Sequence, residues 1–209
     1  MIPELTEFDT KVRIMDFNMQ EAGIPIDVEL TNELNRIYEE YKKELTVEMQ
    51  DISDNRITTI RQNKEIIKTV NSFFGFDIKS LAKEEIDSVL EMVKGHPIAH
   101  RIIEIYSLGN KSSLAKLNAI LDNVDIDNRS HGCLNLNGTF TGRWIGRMWQ
   151  PQNIKRMDEE TQGRYVRLCV KNALNGKSLN ERYAFTNVIN SNVCNLLSTC
   201  LRSCISAPE

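Results

Sequence analysis

Between Asn137 and Ile154 the chain reads NGTFTGRWIGRMWQPQNI, and here its side chains and their spacing point most directly to chemistry. Arg143 and Arg147 each carry a planar guanidinium fork that matches phosphate oxygens two at a time. Gln152 and Asn153 both donate and accept, the combination that meets base edges. Gly142 and Gly146 lack a Cβ and would let a bulky partner approach the backbone. From His131 to Met157 there are four Lys or Arg residues and no Asp or Glu, so an anion meets no local repulsion. Nucleic acid is the partner that uses this mixture. A plainer reading gives Trp144 and Trp149 to the core as packing anchors and leaves the arginines in solvent. Residue chemistry alone leaves both readings open.

Charge distribution points to the same part of the chain. The chain of 209 residues carries a net −3, yet residues 1–130 hold 16 Lys and Arg against 24 Asp and Glu, whereas residues 131–209 hold 10 against 5. Other constellations carry less. The five cysteines, Cys133, Cys169, Cys194, Cys200 and Cys204, form an odd set without a Cys-x-x-Cys pair, which predicts reduced thiols rather than disulfides or a zinc knuckle. His96 and His100 have helical i, i+4 spacing, but Pro97 lies between them and no carboxylate adjoins them, so no metal site is expected. Asp158, Glu159 and Glu160 read as a first helical turn matched to the helix dipole, not as catalytic groups. No apolar run approaches the roughly 20 residues that cross a bilayer, and residues 1–5 have no secretory character. A cytoplasmic protein without a membrane partner is expected.

The elements that must position the run are mostly helical. Phe8, Val12, Met15 and Met19 recur at helical spacing up to a break at Gly23 and Pro25. Asp27 is placed to cap a long helix marked by Leu30, Leu34, Ile37, Tyr41, Leu45, Met49 and Ile52. Shorter helices are expected around Ile60–Phe74 and Ser80–Val93, stopped by Gly75 and Gly95. A second long helix follows from Pro97 to Val124, with Gly109-Asn110 as a weak point. Cys133–Leu136 and Thr139–Thr141 favour strands, and Asn137-Gly138 between them predicts a tight hairpin. Helices around Glu159–Leu174 and Glu181–Cys200 precede an opening strand at Arg202–Ser206. The fold class is therefore mainly α with a small β component (α+β): a long antiparallel helical hairpin with a helical tip, then a short β-hairpin and further helices. The expected domains are 1–130 and 131–209.

The run resembles the first palm motif of the family A DNA polymerases, the DNA polymerase I family. There a Thr-Gly-Arg triplet precedes Gln-Asn-Ile by some ten residues, as Thr141-Gly142-Arg143 precedes Gln152-Asn153-Ile154. The phage and prophage branch, with Trp-Ser-Gly-Arg and Gln-Pro-Gln-Asn, is the most similar, although Ile145 stands here for its serine and Lys155 for the usual proline. Gly23-Ile24-Pro25-Ile26-Asp27 is similar to the family's entrance to the first thumb helix, and Lys111–Leu117 to its Lys-x-Ser/Thr segment. The ending, Arg202 to Glu209, is similar to the lead into the catalytic strand.

The resemblance implies a thumb-like domain over 1–130 and the start of a palm over 131–209, ending ahead of the metal-binding carboxylates and the nucleotide-binding helix. It implies Thr141, Gly142, Arg143, Arg147, Gln152 and Asn153 on primer–template or other duplex DNA, with Lys111, Ser112, Ser113 and Lys116 as phosphate contacts. A vaguer group at the tip comprises Asn55, Arg56, Arg61, Asn63 and Lys64. No catalytic or metal-binding residue and no cofactor are expected within the chain; magnesium would belong to the intact polymerase, and the rest of that enzyme would be a partner. A stand-alone DNA-binding or regulatory module is the alternative. A purely structural helical hairpin is a third possibility, which the charge asymmetry disfavours.

Overall fold

A computed structural model describes residues 6–136, 138, 140–154 and 193–205. As expected, it is mainly helical, with two small antiparallel strand pairs. The helices are α1 (Glu7–Ala22), α2 (Val28–Ile52), α3 (Asn63–Phe74), α4 (Ile86–Val93), α5 (Pro97–Gly109), α6 (Ala115–Leu121) and α7 (Val193–Cys200). Strands β1 (Ile24–Pro25) and β2 (Arg129–Ser130) pair with each other, as do β3 (Leu134–Asn135) and β4 (Ile145–Gly146). The chain packs as two compact units, Met1–Arg36 with Ser113–Glu209, and Ile37–Ser112, so one division falls within α2. The division expected at residue 130 follows the resemblance, whereas this one follows packing.

In the first unit, α1 starts on a reciprocal cap: the Asp9 amide donates to Thr6 Oγ1 and the Thr6 amide to the Asp9 carboxylate, both at 3.1 Å. Gly23 ends it with φ +61°, where any Cβ would also press on the His131 ring 2.7 Å away. Asp27 caps α2 as anticipated, its Oδ1 accepting from the Leu30 amide at 2.9 Å. Antiparallel β1–β2 joins this entrance to Arg129 and Ser130. Leu30, Leu34, Leu117, Ile120, Trp149, Ile154, Leu197 and Leu201 are among the unit's buried residues. None of α1's residues is buried.

In the second unit, Leu45, Met49, Ile66, Val70, Ile102, Ile103 and Ile105 belong to the core. Pro97 opens α5 at its first turn, with His96 Nδ1 accepting from the Ala99 amide, so this ring serves as a cap. The helix expected to reach Val124 stops at Gly109. A Cβ there would collide with Ile60, and the Asn110 amide group donates to Ile60 O at 2.7 Å and Tyr106 O at 2.9 Å, which terminates the turn. The Arg101 guanidinium grips the Glu48 carboxylate at 2.6 and 2.8 Å; this forked bond holds Glu48 below the usual carboxylate range.

Three local expectations are corrected. Leu134–Asn135 pairs with Ile145–Gly146 rather than with Thr139–Thr141, so a longer connection replaces the tight Asn137-Gly138 hairpin. Phe140 and Thr141 are exposed there and contribute no strand. At Arg202–Ser206 the expected strand is a 3-10 turn, Leu201–Cys204, followed by a single bridge between Ile205 and Ile26. The expected helix at Glu159–Leu174 lies outside the described residues, and α7 accounts for the described end of Glu181–Cys200.

His131 supplies a pH test of the first unit. Its Nδ1 meets Gln20 O at 3.1 Å and its Nε2 meets Asp127 Oδ2 at 3.0 Å, a pair of acceptors that only the doubly protonated ring satisfies. The Gln20 carbonyl first, then Asp127, hold its pKa above the ordinary histidine range. A raised folded pKa contributes stability below the unfolded value that is lost as pH rises through the folded one. Denaturation midpoints of the wild type should therefore fall across that window, and His131→Asn should flatten the profile; parallel profiles would refute the contribution.

Candidate nucleic-acid interface

The run from Phe140 to Ile154 lies over the first unit and is fixed from beneath by its aromatic residues. Trp149 is 1% exposed, and its indole N–H donates to Ser130 Oγ at 2.9 Å. Trp144 is half-buried and donates to Asp16 Oδ1 of α1 at 2.9 Å. Both tryptophans thus anchor the run, as the plainer sequence reading held for them. The backbone is stitched to β3 by the β4 ladder and by the Arg147 amide donating to Cys133 O at 2.8 Å.

With those side chains turned inward, Thr141, Gly142, Arg143, Arg147, Gln152 and Asn153 are all exposed. Gly142 takes φ +73°, the left-handed conformation that glycine adopts without strain. Gly146 serves differently from the sequence reading: it is buried, and a Cβ there would collide with the Gln152 amide, so it makes room for the chain's own side chain. Beyond β4 the backbone passes through Met148 (φ +54°) and Gln150 (φ +50°) into a 3-10 turn over Pro151–Asn153. Asn153 Nδ2 donates to Gln150 Oε1 at 3.0 Å.

The remaining site residues divide. Lys111, half-buried, and Ser112, exposed, belong to the second unit, whereas Ser113 and Lys116 belong to the first. Ser113 Oγ accepts from Ser198 Oγ at 3.0 Å. Lys116 turns its ammonium onto the run, donating to Trp149 O at 2.5 Å and Gln150 O at 3.1 Å. Burial pulls its pKa below the ordinary lysine range. In the second unit Arg56, Arg61, Asn63 and Lys64 line a groove of about 730 Å³ with Thr58, Gln62 and Glu65. The Arg56 guanidinium sits 3.7 Å over the Phe73 ring, and Asn55 has φ +58°. Among the described residues no ion pair engages Arg56, Arg61 or Lys64.

Among the described residues no three His, Cys, Asp or Glu side chains converge as metal ligands would, so they do not fit the magnesium pair that the resemblance implies for the intact enzyme. Cys133, Cys194, Cys200 and Cys204 are buried free thiols. Burial pushes the Cys133 thiol up, away from thiolate chemistry. Asp158, Glu159 and Glu160 lie outside the described residues. Ser130 and Asp16 were not legible as supports, because a lone serine and a lone aspartate far away in sequence carry no spacing signal.

The chain matches no family model, no curated protein and no solved structure. The geometry still yields a direct test. Trp149→Phe keeps most of the buried ring but removes the indole donor, leaving the Ser130 hydroxyl only its contact with Cys133 Sγ, and should cost about 1 kcal/mol of stability in chemical denaturation. A loss below a few tenths would show that this bond does not hold the run.

Proposed function

We propose that this chain binds duplex or primer–template DNA as the thumb and proximal palm of a family A, phage-like DNA polymerase acting in DNA replication or repair. The observation that carries the reading is the outward display of Arg143, Arg147, Gln152 and Asn153 on a backbone anchored by two tryptophans. Guanidinium forks suit phosphates, and short amide side chains suit the base-edge acceptors that every base pair shares in the minor groove. Such contacts grip DNA without selecting a sequence, as a replicating enzyme requires. The cationic groove at Arg56, Arg61 and Lys64 supplies a further backbone contact on the second unit.

In this reading the chain does not transfer nucleotides by itself. The two-ion chemistry of the family needs carboxylates that clamp both metals, and the resemblance places them in later palm motifs. Its partners are DNA and the remainder of the polymerase. Among the described residues no helix is long and apolar enough to cross a membrane, and the proposed setting is the cytoplasm of a bacterial or phage-infected cell.

Titration of a fluorescent primer–template should show binding that weakens steeply with salt. Arg143→Ala and Arg147→Ala should each weaken it about tenfold and lower the log–log salt slope by about 0.9. Primer extension with magnesium and nucleotides should be undetectable. Absence of binding even at low salt would overturn the DNA reading, and extension by the chain alone would overturn its inactivity.

A further inference from the structure

We propose that Lys116 is a positioning residue that holds Gln152 and Asn153 in place, and is not itself a phosphate ligand. Its placement stands on geometry alone; its consequence for binding rests on the DNA reading above. An ammonium has three protons to donate. Lys116 directs donors to two successive carbonyls, Trp149 O at 2.5 Å and Gln150 O at 3.1 Å. These carbonyls lie where the backbone most needs support. Met148 and Gln150, neither of them glycine, are held at φ +54° and +50°, a left-handed conformation that is strained for residues with a Cβ.

The two ends of the run are secured unequally. Its leading part is clamped by the β3–β4 ladder and by the Arg147 amide on Cys133 O. Its trailing part, Pro151–Asn153, is a single 3-10 turn with no strand partner. Besides the burial of Ile154, that turn depends on Gln152 resting on Gly146, on the Asn153–Gln150 side-chain bond, and on Lys116. Lys116 projects from α6, whose Leu117 and Ile120 are fully buried, so its base is rigid. Withdrawing its ammonium therefore frees the neutral readers Gln152 and Asn153 while leaving Arg143 and Arg147 on their clamped strand.

That asymmetry separates a positioning role from direct contact. Hydrogen exchange on the DNA-free chain would compare wild type, Lys116→Met and Lys116→Arg. Lys116→Met should speed exchange at least tenfold at the Gln150, Asn153 and Ile154 amides, which bond to Arg147 O, Gln150 O and Pro151 O. The Arg147 amide and those of α5 should be unchanged, and Lys116→Arg, which restores a cationic donor, should recover the wild-type pattern. In the primer–template titration Lys116→Met should weaken binding about tenfold with the salt slope intact. A slope reduced by about 0.9 with unchanged exchange would make Lys116 a phosphate ligand and overturn the proposal. If Lys116→Met loosens the α5 amides as well, Lys116→Gln replaces it and is judged by the same outcomes. Faster exchange in a chain that never binds DNA would leave the positioning role standing and remove the DNA reading.

Discussion

A buried indole N–H must find an acceptor inside the protein, and at Trp149 it finds the Ser130 hydroxyl. Ser130 belongs to β2, which pairs with β1 at the turn between α1 and α2, and its hydroxyl lies 3.0 Å from Cys133 Sγ just before β3. One hydrogen bond thus joins the cationic run to the strands that frame the first unit. The orientation of the neighbouring side chains follows from it. With Trp149 turned in, Arg147, Met148 and Gln150 turn out, and the left-handed backbone at the last two is the conformational cost of that reversal.

Charge is distributed by the same economy of partners. In the second unit many cations close on a nearby carboxylate: Lys42 on Glu39, Lys68 on Glu65, Lys94 on Glu91, and Arg101 on Glu48 and Glu104. Exposed pairs of this kind contribute little to stability, but they remove positive charge from view. The groove at Arg56, Arg61 and Lys64, which Glu65 also lines, and the exposed run at Arg143 and Arg147 are where cations gather. A protein that is acidic overall can in this way present local positive fields.

Helical periodicity made most of the fold legible. The spacing from Leu30 to Ile52, the cap at Asp27 and the stop at Gly75 are local signals, and each appears where backbone chemistry requires it. What failed was non-local. The Asn137-Gly138 pair satisfies every local rule for a tight hairpin, yet β3 pairs with Ile145–Gly146, where ladder formation coincides with burial of Gly146. Likewise Pro97–Val124 keeps one apolar periodicity, yet α5 ends at Gly109, where the Asn110 side chain bonds to Tyr106 O and to Ile60 O, far away in sequence. In the site, residue chemistry left the exposure of the arginines open, and gave no sign that Gly146 would shelter Gln152 or that Lys116 would face the chain's own carbonyls.

The helix α1 persists without a core of its own. Phe8, Ile14, Met15, Phe17 and Met19 all stand in water, and its order derives from the Thr6–Asp9 cap, from Gly23, and from bonds made by Asp16, Gln20 and Ala22. Local unwinding should accordingly begin at its leading end, where least is tethered. The first tether such fraying meets is Asp16, the acceptor of the Trp144 indole. Melting of nearly three turns of α1, Glu7 through Asp16, would thus set an aromatic side chain loose next to Arg143, making the helix a thermometer of the cationic run.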